Sequence, residues 1–477
     1  MSRIHLLLAA VFLSSGLPAH ADKVDDFINA QLNAHHVPGL SLAIIDGGKI
    51  VKARGYGVTD TAGGGPVTAA TLFQAGSISK SVAALGALHL VEQGRLALDE
   101  DVNAKLTTWK VPDNEFTGKE KVTLRRLLSH TAGLTVHGFA GYGVGEPRPT
   151  LVQALNGEKP ANSPAIRVDM LPGSKWRYSG GGYTVLQQMI LDVTGQPFPA
   201  FMQQTVLAPL HMSHSTYEQP LPGDKAVTTA SGYYADGKPV KGRWHIYPEM
   251  AAAGLWTTAS DLATFAIGVQ RSLAGTSNPV ISQAMTRQML TDQKDGDGLG
   301  VFLQGKGHDL RFMHDGRDEG FDAVMVSYAE TGQGAVIMIN ANSDSRMVPH
   351  ILETIATEYH WLNYPITPVY SPIPDTEPAV TAALREMLDQ LAEGKVIAAR
   401  CTPEIANLLA TQVKEGLQEA LHAMGPVKSM VLLEHRVTPK GRMYRYRAAY
   451  AKDDFTLMVL CGFNPEGKIS VLSMRPE

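Results

Sequence analysis

The sequence predicts an α/β protein of the α+β kind: an antiparallel sheet assembled from both ends of a large region, with helices inserted between, then a small additional α+β C-terminal domain. Three observations carry this. A hairpin pattern lies early in the chain, a second lies far downstream, and the stretch between them is mostly helical and loop-like. A proline-rich segment then sets off a final hundred or so residues with their own helix and strand patterns. At 477 residues the chain is long for one domain and comfortable for two.

Taken in order, Arg3 and His5 precede an apolar run from Leu6 to Leu13 that Gly16 and Pro18 break. Ala19-His20-Ala21 then has the small-x-small form of a cleavage site. Residues 1–21 therefore read as a signal peptide removed after Ala21, and a secreted or periplasmic location is expected. The run is too short to span a bilayer, and no later apolar stretch reaches ~18 residues unbroken, so no transmembrane anchor is expected. Leu40–Ile45 and Lys49–Ala53 flank Asp46-Gly47-Gly48, a hairpin signal. Asp322–Tyr328 and Ala335–Ile339 form the late pair, joined through Thr331-Gly332-Gln333-Gly334.

Residues 22–364 read as the main domain and 365–377 as a linker, with Pro365, Pro368, Pro372 and Pro374 unable to continue a helix or enter a central strand. Residues 378–477 form the small domain: helices near Ala379–Glu393 and Glu404–Met424, then strands near Ser429–Arg436, Arg442–Tyr450, Phe455–Gly462 and Ile469–Met474. It carries no catalytic constellation, since His422 and His435 stand alone.

A net charge of −4 and the lack of a long basic run give no support for a nucleic-acid partner. The two cysteines, Cys401 and Cys461, could pair in an oxidising compartment if the fold brings them together. Nothing like C-x-x-C or H-E-x-x-H accompanies them, so neither a metal nor a cofactor is expected.

Ser77-Ile78-Ser79-Lys80 opens an apolar helical run, Val82 to Leu96, which puts Ser77 at a helix N-terminus and Lys80 on the same face. A serine hydroxyl needs a neighbouring base, and a desolvated lysine can serve or can orient one. This is the one S-x-x-K in the chain. Taken alone it is weaker than the reading of Ser77 or Ser79 as an ordinary N-cap. Trp176-Arg177-Tyr178-Ser179-Gly180-Gly181-Gly182-Tyr183 places a tyrosine in a glycine-rich loop before a helix at Thr184–Val193. Beside a lysine ammonium, Tyr178 is expected to be partly phenolate and a candidate general base and acid. Met313-His314-Asp315-Gly316-Arg317 precedes the strand at Asp322. A donor side chain followed by Gly on an edge strand lets a substrate backbone approach.

In that order the motifs resemble the S-x-x-K, Y-x-N and K-T-G or H-x-G set of class C-type β-lactamases, related esterases, D-aminopeptidases and low-molecular-mass penicillin-binding proteins. Phe73–Lys80, Leu127-Leu128-Ser129-His130-Thr131-Ala132-Gly133-Leu134, Ala253–Ala263 and Val37-Pro38-Gly39 match too, and the resemblance covers about Val24 to Tyr359. It implies a serine β-lactamase/transpeptidase-like fold. It also implies Ser77 as nucleophile, Lys80 as its activating partner, Tyr178 as general base and acid, and an oxyanion hole from the N–H groups of Ser77 and Arg317. His314 takes the place of a β-lactamase's lysine, as a pH-dependent anchor for a substrate carboxylate. The S-H-T-A-G-L and Ala253–Ala263 stretches are expected to be structural, the latter with a helix start from Thr257 to Asp261.

Two departures matter: Gly180 stands where β-lactamases have a substrate-binding Asn, and His314 replaces the lysine. Both turn the expectation from an efficient β-lactamase toward an exported hydrolase of small esters or D-aminoacyl amides and peptides. Two alternatives stay open: a class C-type β-lactamase or D-Ala-D-Ala carboxypeptidase, and a penicillin-binding sensor that acylates without turnover. Trp176, Tyr247, Trp256 and Phe321 lie near the motifs, as pocket wall or as core.

Overall fold

The computed structural model describes residues 23–277, 279–343, 346–366, 372–438, 441–452 and 455–476. The signal-peptide expectation on 1–21, and Pro368 of the linker, lie outside them. The chain divides into two compact units, one running to Pro365 and one starting at Ile366.

In the first unit, α1 (Lys23–Ala34) leads into β1 (Gly39–Asp46) and β2 (Lys49–Gly57). Their turn places Gly47 and Gly48 at φ of 56° and 69°, a region that glycine enters without penalty. The helical middle includes α2 (Ile78–Glu92), α3 (Gly180–Thr194), the short α4 (Met250–Ala253) and α5 (Ala259–Ala274). Then come β3 (Phe302–Gln304), β4 (Arg311–Asp318), β5 (Phe321–Tyr328), β6 (Gly334–Ile339) and α6 (Met347–Glu358). The strands form one antiparallel sheet in the order β2-β1-β6-β5-β4-β3. Leu42 of β1 faces Ile337 of β6, so the sheet joins the two ends of the unit, as the hairpin spacing predicts.

Both faces of the central strands are covered, which is why β1 and β6 read as continuous apolar runs instead of alternating ones. Leu40, Leu42, Ile44, Ile337 and Ile339 pack with Val24 and Ile28 of α1 and with Ile351 and Ile355 of α6. Ala43, Ile45, Val336 and Met338 join the larger core around Leu262 and Phe265 of α5. Helix α2 lies in that core with Ile78 through Leu88 all buried. Gly86 permits the fit, since a Cβ there would come 2.8 Å from the Met202 sulfur.

Two local expectations are corrected. Met313–Arg317 does not precede a strand but lies within β4, paired with β5 through His314↔Met325 and Gly316↔Ala323. On its other side β3 pairs only Arg311–Met313, so Asp315–Asp318 lie beyond the strand that covers them. Helix α3 starts at Gly180, not Thr184. The Ser179 hydroxyl accepts from Gly182 N–H at 3.0 Å, and the Gly180 and Gly181 N–H groups donate to His137 O and Val136 O. That network offsets the usual glycine penalty in a first turn.

The second unit has α7 (Pro378–Ala392), α8 (Pro403–Gln412) and α9 (Gln418–Met424), then β7 (Val427–Thr438), β8 (Gly441–Tyr450), β9 (Thr456–Phe463) and β10 (Ile469–Pro476) in an antiparallel meander. The helix expected over Glu404–Met424 is interrupted at Gly416, whose φ of 111° no helix accepts. Leu384, Leu388 and Leu391 pack on Leu432, Tyr444, Tyr446 and Val459. Cys401 and Cys461 are buried free thiols and do not pair.

Candidate active site

The start of α2 presents Ser77 to the crevice. Ser77 is the N-cap residue, yet its side chain makes no capping hydrogen bond. Ser79 does the local stitching: its hydroxyl donates to Gly76 O at 2.6 Å and accepts from Leu255 N–H at 3.0 Å. One turn on, Lys80 Nζ donates to Ser77 Oγ at 2.9 Å and to Ala252 O of α4 at 2.7 Å. The lysine is 2 % exposed, and it makes no ion pair among the described residues. Burial pushes Lys80 down to about 7, against the opposing pull of the Asp318 and Asp315 carboxylates.

Tyr178 reaches the same point from the segment before α3. Its ring sits 5.1 Å from Lys80 Nζ and its hydroxyl is in hydrogen-bonding reach of Ser77. The expected partial phenolate is not what this environment favours. Burial pushes the phenol well above its ordinary range, outweighing the bond to Ser77. His130 packs on the ring at 4.2 Å and His137 at 4.8 Å. His130 Nδ1 accepts from Ser179 N–H at 3.1 Å, and burial together with the Lys80 charge holds the imidazole well below its ordinary value, hence neutral. Its φ of 54° is a left-handed conformation held by these contacts.

The third wall is β4. Gly316 and Gly76 are there because the strand and the helix start approach closely. A Cβ on Gly316 would lie 2.0 Å from Ala75 O, and one on Gly76 (φ 50°) would lie 2.5 Å from Arg317 N. The N–H groups of Ser77 and Arg317 flank this approach. The Arg317 guanidinium turns away to Asp322, with Nε and Nη2 donating at 2.7 and 2.8 Å.

Ser77, Lys80, Tyr178, Asp315, Arg317 and Asp318 thus line one crevice of about 420 Å³, closed by Phe139, Trp176 and Phe302. Trp176 is anchored by donating from Nε1 to Asp297 at 2.8 Å. Two of the sequence-predicted residues adjoin the crevice without lining it. His314 is 2 % exposed, its ring stacked on Phe302 at 4.7 Å and 6.2 Å from the Tyr178 ring, with Nδ1 2.5 Å from Asp315 O. Burial and the Lys80 charge push it down to about 4, so it is a neutral ring and not a cationic anchor. Gly180 is buried with its N–H spent on His137 O, and a Cβ there would meet His137 O at 3.0 Å and the Phe139 ring at 3.1 Å. The segment 137–139 fills the space a larger residue would use.

Trp256, Tyr247 and Phe321 are core residues, whereas Trp176 is wall. Sequence reasoning missed His130, His137, Phe139, Phe302 and Asp318 at the site. Asp318 alone left a signal, the alternation His314, Gly316, Asp318 that a strand turns to one side.

A protein-family model described as Beta-lactamase matches residues 24–356. Protein flp of Staphylococcus aureus is 25% identical over 349 residues, covering 70% of this chain and 66% of its own length. Esterase EstB of Burkholderia gladioli is 29% identical over 228 residues, covering 46% of this chain and 56% of its own. The chain therefore spans just under two thirds, or less, of these curated relatives. The octameric penicillin-binding protein homologue of Pyrococcus abyssi superposes with a TM-score of 0.60 at 20% identity, over 94% of each chain.

Proposed function

Because the chain belongs to the beta-lactamase family, whose homologues are serine hydrolases, we propose that it hydrolyses small esters or D-aminoacyl amides through an acyl-enzyme on Ser77. The observation that carries this reading is the 2.9 Å contact between Ser77 Oγ and an amine that burial has brought to about 7. As a neutral amine, Lys80 takes the Ser77 proton while Oγ bonds to the substrate carbonyl carbon. The neutral Tyr178 phenol then gives its proton to the departing group and is refilled from the Lys80 ammonium. The N–H groups of Ser77 and Arg317 face the developing oxyanion, each such donor contributing on the order of 3 kcal/mol. Water attack with the same groups reversed releases the acid. Export of the chain rests on the Ala19-His20-Ala21 pattern and the apolar run before it.

Two features favour ester or amide substrates over β-lactams. A neutral His314 offers no charge for the carboxylate that β-lactams carry. Gly180 has no side chain to receive an acylamino carbonyl, and Phe139 stands there instead. An esterase is among the relatives. Each missing polar contact weakens binding by about 1–3 kcal/mol. The test is a panel of short-chain p-nitrophenyl esters, D-aminoacyl p-nitroanilides and nitrocefin. The expected result is a kcat/KM for an ester or an anilide about tenfold or more above that for nitrocefin. Nitrocefin turnover equal to the best ester would contradict the assignment and favour the β-lactamase alternative.

A further inference from the structure

Asp318 is unexplained by packing. It is 3 % exposed, and its two carboxylate oxygens have no fully formed hydrogen bond among the described residues. The Gly76 N–H gives its charged form partial support. A carboxylate in such a place is unfavourable unless it meets a positive charge. The alternation of β4 turns Asp318 to the same side as His314 and Gly316, toward α2, while Asp315 and Arg317 point outward. Two cationic residues line the crevice, and the Arg317 guanidinium is turned out to Asp322. The other is Lys80, whose amine donates to a hydroxyl and a carbonyl and makes no ion pair among the described residues.

We infer that Asp318 is a positioning residue for acylation: it supplies the counter-charge that stabilises Lys80 as an ammonium and so decides at what acidity Lys80 becomes the free amine under Ser77. The inference rests on the acyl-enzyme reading and goes beyond it by assigning the group that tunes the base.

The surroundings leave few competitors for this role. The carboxyl interacts electrostatically with Lys80 of α2 and, from the segment before α4, with the Tyr247 phenol, whose oxygen accepts from Glu319 N–H at 2.9 Å. Glu319 and Asp322, beyond β4, oppose its ionisation. Around Lys80 itself stand Asp315, the rings of Tyr178 and Tyr183 at 5.1 and 5.8 Å, and two histidines, His130 and His314, that burial, seconded by the Lys80 charge, holds low. Burial pushes the carboxyl up and the amine down, and each draws the other back. When Lys80 accepts the Ser77 proton, the new ammonium forms in the same crevice as the Asp318 carboxyl and draws it toward its charged form against the effect of burial. The proton returns to the leaving group through Tyr178, and the amine is restored.

The experiment is the pH dependence of the rate at which an uncharged fluorophosphonate labels Ser77 in the full chain. Wild type should show a limb that rises with pH near neutrality. In Asp318→Asn, with the counter-charge gone, the limb should move to lower pH by about one unit, while Asp318→Glu should keep it near the wild-type position even if the rate falls. Asp318→Ser, smaller and also neutral, should move the limb as Asn does and stands in if the Asn variant does not fold. A neutral variant whose profile overlies wild type after scaling, or a Glu variant that shifts with the neutral ones, overturns the inference alone. A wild-type chain that takes no label at Ser77 at any pH removes the acyl-enzyme reading and the inference with it.

Discussion

Ser77→Ala is expected to reduce ester turnover by about 10⁴-fold or more and to abolish fluorophosphonate labelling, while leaving Tm within a few degrees of wild type. The scale follows from nucleophilic catalysis. Without Oγ no covalent intermediate forms, and only the oxyanion donors and binding remain. The small effect on stability follows from the local geometry. The Ser77 hydroxyl caps nothing, and the bonds that hold the helix start belong to Ser79, Gly76 and Leu255. The removed oxygen leaves Lys80 with its Ala252 contact intact. A variant retaining more than about a hundredth of the activity would take Ser77 out of the nucleophile's role.

Lys80→Met is the second large effect. Methionine approximates the volume of the buried stem while deleting the amine, so the expected loss is in rate, about 10²- to 10⁴-fold in kcat. Some stability is also lost, because Ala252 O loses a buried donor, which costs about 1–3 kcal/mol. The pH profile of the wild type carries the sign. Burial brings Lys80 down to about 7, and the proposed acylation uses the neutral amine, so kcat/KM should rise with pH through neutrality. In the Met variant that limb should be missing from the residual activity. A residual limb at the same pH would assign it to another group, with Asp297 and Glu249, both pushed up to about 7 by burial, the first to examine.

Much of this arrangement was legible in the chain. The two hairpins report their own turns through Gly47-Gly48 and Gly332-Gln333-Gly334, and the Ser77–Lys80 spacing puts both side chains on one helical face whatever the surroundings. The four strands of the second unit came within a few residues of their sequence positions because their turn signals are local. What was illegible depended on distant partners. Three successive glycines read as loop, and only the carbonyls of Val136 and His137 make them a helix start. A tyrosine near a lysine reads as a phenolate, and only the depth of the crevice reverses that. His314 reads as an anchor until β3 places Phe302 over it. No local pattern could bring residues 137–139 against Tyr178 and Gly180, because that contact is made by loops, whose positions the sheet and helices decide.

The central claim is tested most directly by trapping the acyl-enzyme. The full chain is exposed briefly to a slowly released ester, or to a penicillin, then quenched in acid, digested and mapped by mass spectrometry. One added acyl group is expected, on the peptide that contains Ser77, appearing before product accumulates and decaying as product forms. Product release with the Ser77 peptide unmodified throughout, or an acyl group carried by a different side chain, would contradict it.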